Sequence, residues 1–233
     1  RAAKTITTGN SNVAIGDECL EFTTTGSENV AVGHQALEAN TTADGNIAIG
    51  NAAMVSNTTG NNNIAIGAMA LDANTTGSQS VAIGSNALGS QNADVKNVAV
   101  GYRALQGTTS GTSNVGMGRD VLYTNTTGSY NIAIGNDALG NNTTAYNNVA
   151  EGYNCLAANT TGQYQTAMGQ GALANSNADH NSAFGVSALS ACTTGVHNTA
   201  FGRNAAASLT TGTNNIAIGN YTLSGTVTGG SNI

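Results

Sequence analysis

Read for polarity, the chain repeats one phrase: a polar residue, a large apolar residue, Ala, a second large apolar residue and Gly, as in Asn131-Ile132-Ala133-Ile134-Gly135. An Ala-Leu pair follows a few residues later, then a polar connector such as Asn74-Thr75-Thr76-Gly77. The phrase-closing glycines fall at 16, 33, 50, 67, 84, 101, 118, 135, 152 and 169, then at 185 after one spacing of 16, then at 202 and 219. The fourth residue after each is Leu in eleven of the thirteen repeats, with Met54 and Ala206 the exceptions. A period of 17 held this long makes each repeat one structural unit that buries its apolar side against its neighbours.

Alternating β-branched residues bounded by Thr-Thr-Gly predict short strands and turns, and the frequent Asn and Gly oppose helix. The expected fold is all-β: a β-solenoid (β-roll) of about thirteen 17-residue coils. Stacked ~4.8 Å apart, they would make a rod of about 60 Å. Residues 1–233 read as a single repeat domain. Thr7-Thr8-Gly9 is already a connector and Asn232-Ile233 opens a further strand, so the expectation is a domain uncapped at both ends. Such a domain is either the ordered part of a longer fibre or a rod that stacks end to end.

Strand side chains alternate, so the two large apolar residues of a phrase share one face and the Ala between them takes the other. The large pair trades volume: in three consecutive coils the first partner shrinks to Thr166, Ser182 and Thr199 while the second becomes Met168, Phe184 and Phe201. This compensation places both apolar columns, with the Leu column, in the expected interior. The Ala column is then the outer face. Ala14, Ala31, Ala48, Ala65, Ala82 and Ala99 are its candidate subunit-interface residues, a flat methyl stripe that a close neighbour would cover. The alternative is that Ala is merely tolerated beside tight turns. Glu151 stands in a large-apolar position and is expected as a buried carboxylate at a local defect or hydrated pocket.

The Asn opening the phrase occurs in eleven of thirteen coils, with Ser80 and Gln165 as substitutes, and predicts an amide ladder along the axis. Asn40, Asn57, Asn74, Asn125, Asn142 and Asn159 sit in N-x-Thr sequons and read as turn chemistry.

Composition narrows the function. Only 8% of the 233 residues are charged, the net charge is −6, and proline and tryptophan are absent. Six scattered basic residues give no footprint for nucleic acid, and no apolar run is long enough for membrane insertion. The opening RAAKTITTGN is not a signal peptide. Cys19 and Cys155 occupy a small-residue column and read as buried, whereas Cys192 lies in a connector and is expected to be exposed. No Cys-x-x-Cys or His spacing suggests a metal, so no metal, cofactor or catalytic residue is assigned and the chain is expected not to be an enzyme. Asp94 and Asp179 replace a connector residue that is usually Gly, five coils apart, too far for a catalytic pair.

The combined phrase Asn-(Val/Ile/Thr)-Ala-(Ile/Phe)-Gly-x-x-Ala-Leu-x-x-Asn-Thr-Thr-Gly resembles the repeats of phage and bacterial tail-fibre-type proteins. Its Val-Ala-Ile-Gly core is similar to the head repeats of trimeric autotransporter adhesins, whose period is shorter. The resemblance spans essentially the whole chain. It implies a homotrimer on a virion or cell surface, used for attachment or as a shaft. The function expected is therefore a non-catalytic fibre or adhesin segment, extracellular or on a virion. The alternatives are a self-assembling architectural filament and an ice-binding solenoid. Recognition of a host glycan or surface protein must come from positions that differ between coils. Tyr130, Tyr146 and Tyr164 are the candidate adhesive patch, expected within about 10 Å along one edge. His34, His180 and His197 read as surface residues.

Overall fold

The structure is a computed structural model describing residues 2–93, 95–225 and 229–232. It is all-β, as its sequence predicts. The described residues hold thirteen three-residue strands. They are β1 (Val13–Ile15), β2 (Val30–Val32), β3 (Ile47–Ile49), β4 (Ile64–Ile66), β5 (Val81–Ile83), β6 (Val98–Val100), β7 (Val115–Met117), β8 (Ile132–Ile134), β9 (Val149–Glu151), β10 (Thr166–Met168), β11 (Ser182–Phe184), β12 (Thr199–Phe201) and β13 (Ile216–Ile218). Two compact units, Arg1–Asn114 and Val115–Ile233, carry β1–β6 and β7–β13. Within each unit consecutive strands pair in parallel with like residue on like, Ala48 on Ala65 and Ala65 on Ala82 in the first, Ala133 on Ala150 and Ala183 on Ala200 in the second. This is a β-solenoid, one coil per repeat.

The interior corrects the face assignment. Ala31, Ala48, Ala65, Ala82 and Ala99 are fully buried and Ala14 is half-buried, so the Ala column points into the coil. It meets the Ala-Leu pair on the far side, where Leu37, Leu71, Leu88 and Leu105 are also fully buried. The flanking large residues point outward. The six Ala positions therefore cannot present a surface to another subunit. The physical reason is room: a 17-residue coil already holds a Leu and two amides, which leaves only a methyl's space beside the strand.

Two polar columns complete this interior. Asn46 and Asn63 are fully buried. The Asn46 backbone amide donates to Asn29 Oδ1 at 2.9 Å, and Asn46 Nδ2 donates across the coil to the Gly60 carbonyl at 2.9 Å. The predicted ladder is present, with Nδ2 to Oδ1 contacts such as Asn215 to Asn198 at 3.0 Å. Connector residues Asn57, Asn74, Asn125 and Asn159 form the second column, each donating Nδ2 to the carbonyl three residues on at 2.9 to 3.0 Å. All six sequon asparagines are fully buried, so their amides serve the turn and are closed to a glycosylating enzyme in the folded chain. Satisfied amides cost little to bury, whereas an unpaired one would cost about 1–3 kcal/mol.

The two columns trade length across the coil. Where the first shortens to Ser80, the second lengthens to Gln91, whose Nε2 donates to Ser80 Oγ at 2.9 Å. Where the first lengthens to Gln165, the second shortens to Ser176, whose hydroxyl donates to Gln165 Oε1 at 2.7 Å. Ala206 in the Leu column is likewise matched by Leu209 in the connector column, both buried.

Glycine is required at the register mark. Gly67 has φ +135°, and a Cβ there would lie 2.6 Å from the carbonyl carbon of Gly84 in the next coil. Leu37, Leu71 and Leu88 each adopt φ +52°, a left-handed conformation that turns the chain back towards the strand. Strain of about 1–2 kcal/mol per such residue is offset by inter-coil hydrogen bonds and core burial. Leu88→Ala is therefore expected to cost about 2–5 kcal/mol in urea unfolding, as for a buried Leu that leaves a cavity. A midpoint equal to the parent's would contradict this core.

Where Asn takes the first Thr position of a connector, as Asn92 does in a full-length coil and Asn177 in the 16-residue one, its side-chain carbonyl replaces the backbone carbonyl. In ordinary connectors the amides of Thr24, Thr25 and Gly26 converge on the Thr41 carbonyl. One residue is missing between Ser176 and Asn181 relative to the usual connector. There the amides of Thr160, Thr161 and Gly162 converge instead on Asn177 Oδ1, at 2.9, 2.9 and 3.3 Å.

Candidate functional site

Two surfaces stand out, and the first was missed in the sequence because its residues were assigned to the interior. On each strand the residues flanking the buried Ala face outward. In the first unit Ile49, Ile66 and Ile83 are 36–38% exposed at one flank, with Val30, Ile47, Ile64 and Val81 half-buried at the other. In the second unit Met117, Ile134, Met168, Phe201 and Ile218 are exposed at the corresponding strand position, and the Phe184 and Phe201 rings lie 5.8 Å apart there. The small-large pairs Thr166/Met168, Ser182/Phe184 and Thr199/Phe201 are thus on this outer face. Their volume trade does not describe the coil's own core.

Each unit carries an outward strip two side chains wide, wholly apolar in the first and interrupted in the second by Thr166, Ser182, Thr199 and one charge. At about 50 Å² per outward apolar side chain, the strips offer on the order of 500–600 Å² each, the upper end of the patch a monomer usually exposes. Covered by a like strip, each would bury about 1,000–1,200 Å² in total, the scale of a biological interface. The charge is Glu151, which is exposed in the outward column between Ile134 and Met168. The expected buried carboxylate is therefore a surface carboxylate.

The second surface is a ladder of rings. Tyr146 and Tyr164 meet edge to face with centroids 5.4 Å apart. Tyr164 stacks on His180 at 5.0 Å and His180 on His197 at 5.1 Å, with ring planes within 4°. Tyr130 is 59% exposed and shares the left-handed column of Tyr164, but Asn147 occupies the coil between them. Two of the three predicted tyrosines therefore touch. The ladder continues through two histidines whose 17-residue spacing was the available signal. Stacking turns the faces of Tyr164, His180 and His197 towards each other, so there solvent meets the edges: a phenol hydroxyl and imidazole nitrogens. The hydrogen bond with Tyr164 raises the Tyr146 phenol above its ordinary pKa.

Other candidate chemistry is structural. Cys19, Cys155 and Cys192 are all fully buried, which corrects the exposure expected for Cys192. Cys192 takes the place of a connector Asn and directs its Sγ to the Gly195 carbonyl at 3.3 Å. Burial pushes the Cys155 thiol up to about 12 and raises that of Cys192, which leaves little thiolate at neutral pH. Asp179 Oδ1 accepts from the Gln163 amide at 2.7 Å, an inter-coil turn contact, while Asp94 lies outside the described residues. The hydroxyls of Thr24, Thr41 and Thr58 donate to the next coil's Thr carbonyl at 3.0–3.1 Å and are not free to order water. Among the described residues no group of three His, Cys, Asp or Glu could hold a metal ion, and no helix is long and apolar enough to cross a membrane.

No protein-family model, curated protein or solved structure matches the chain. Functional inference therefore rests on the outward apolar strip, its one charge and the ring ladder.

Proposed function

We propose that this chain is a non-catalytic fibre or adhesin segment, displayed extracellularly, at a cell surface or on a virion, and assembled as a homotrimer through its outward Val/Ile columns. The observation that carries this reading is the apolar strip itself. Large aliphatic and aromatic side chains repeat along one flat side of a coil whose own core is filled by Ala, Leu and Asn. The volume trade at Thr166/Met168, Ser182/Phe184 and Thr199/Phe201 supports it, because complementary sizes on an outer face are useful only where another surface packs against them. The resemblance to tail-fibre and adhesin-head repeats supplies the number three and the location.

Electron microscopy tests this reading. Discrete particles of uniform length are expected. Continuous filaments that lengthen with concentration would replace the proposal by the architectural-filament alternative, and isolated single chains would reject both.

Attachment, in this reading, falls to positions that vary between coils, and Tyr146 and Tyr164 with Tyr130 remain the proposed adhesive patch for a host glycan or surface protein. Because the stack presents edges, recognition there is by hydrogen bonding to the Tyr hydroxyls and neighbouring imidazoles. Substituting the three tyrosines by Phe is expected to reduce binding on a glycan array or to host cells at least tenfold while retaining the fold. Binding equal to the parent's would place the adhesive site elsewhere.

A further inference from the structure

Resting on the assembly reading above, a further role follows for Glu151. Outside β10–β12, the outward strip is nearly the same from coil to coil. Ile47, Ile64 and Val81 follow one another on one flank, and Ile49, Ile66 and Ile83 on the other. Copies that slid by one coil would therefore exchange like for like over most of their length, and the aliphatic columns alone define axial register weakly. Glu151 is where the third strand position carries a carboxylate. Its in-register neighbours, Ile134 on β8 and Met168 on β10, are apolar, as are Ile132 and Val149 beside them, and Thr166 is uncharged.

We propose that Glu151 is the register mark of the assembly. In register, the carboxylates of all copies collect in one hydrated layer and every other layer stays apolar. A slip of one coil would press each carboxylate separately against aliphatic side chains, so as many layers are spoiled as there are copies. A single polar position in an apolar seam selects register in this way at some cost in stability. The occupant is a second copy of this chain: the strip is otherwise uncharged, and its area is on the scale of a stable interface.

The test is a mixing experiment with the full chain, parent against isotope-labelled Glu151→Lys, read by native mass spectrometry. If the 151 positions share one layer, mixed assemblies exceed the statistical share and resist dilution at least tenfold better than the Lys homo-assembly. In parallel, Glu151→Ile should assemble at least tenfold more tightly than the parent at pH 7, with Glu151→Gln between the two. The Gln and Ile variants preserve the test should the Lys variant fail to fold. An oligomer that mixes statistically, with the Ile variant no tighter than the parent, overturns the register role and leaves the assembly reading standing. A parent that is monomeric overturns both.

Discussion

Replacing Ala65, Ala82 and Ala99 together by Glu is expected to unfold the first unit. All three are fully buried and pair in register along β4, β5 and β6, facing an interior closed by Leu71, Leu88 and Leu105. Each substitution adds a carboxylate where only a methyl fits, with no cation available inside the coil. Leaving one buried charge unpaired costs about 3–5 kcal/mol. Three such costs reach about 9–15 kcal/mol, the scale of a whole domain's stability. The β-sheet circular dichroism of the first unit should be lost at 25 °C, and Ala82→Glu alone should lower the urea midpoint sharply. A folded triple variant would mean that the Ala column faces out.

The matching change one residue along each strand should do the opposite. Ile66 and Ile83 are 36% and 37% exposed on β4 and β5, so Ile66→Lys with Ile83→Lys puts two ammonium groups on the outer face at little cost to the coil. Circular dichroism and single-chain stability should stay within about 1 kcal/mol of the parent. Assembly should not survive, because desolvating two unpaired charges per copy at the centre of an interface costs several kcal/mol. A dissociation constant at least a hundredfold weaker is expected by sedimentation. Retention of the parent's assembly would show that copies meet through some other face.

The contrast between these variants marks what was legible in the sequence. The 17-residue period, the strand phrase, the Leu column and the Asn ladder could be read directly, because each is a spacing. Which face of the strand is inside could not be read from alternation, which groups residues by face without orienting the faces. Volume suggested that Ile and Phe belong within, but the coil is too thin to hold them beside a Leu and two amides. Two signals pointed the other way. Glu151 stands in the column taken for core, and a carboxylate is far cheaper outside. The trades Ser80 for Gln91 and Gln165 for Ser176, each 11 residues apart, run between the two columns that do share the interior.

The candidate surfaces divide along the same line. Tyr146 and Tyr164 were placed on one edge by repeat arithmetic, whereas their continuation into His180 and His197 depends on ring orientation. Cys192 looked exposed because connectors usually are. It is buried because the connector's Asn column turns inward, and a thiol can direct its hydrogen to the same carbonyl that an amide would reach.

The most direct measurement of the central claim, that the outward Val/Ile columns are covered by further copies of the chain, is the solution mass at neutral pH by sedimentation equilibrium. The account predicts three copies of the 23.1 kDa chain for the parent and one for the Ile66→Lys, Ile83→Lys variant, with the β-sheet signal of the two indistinguishable. A parent that sediments as a single folded chain at micromolar concentration, with its apolar strip open to water, would contradict it.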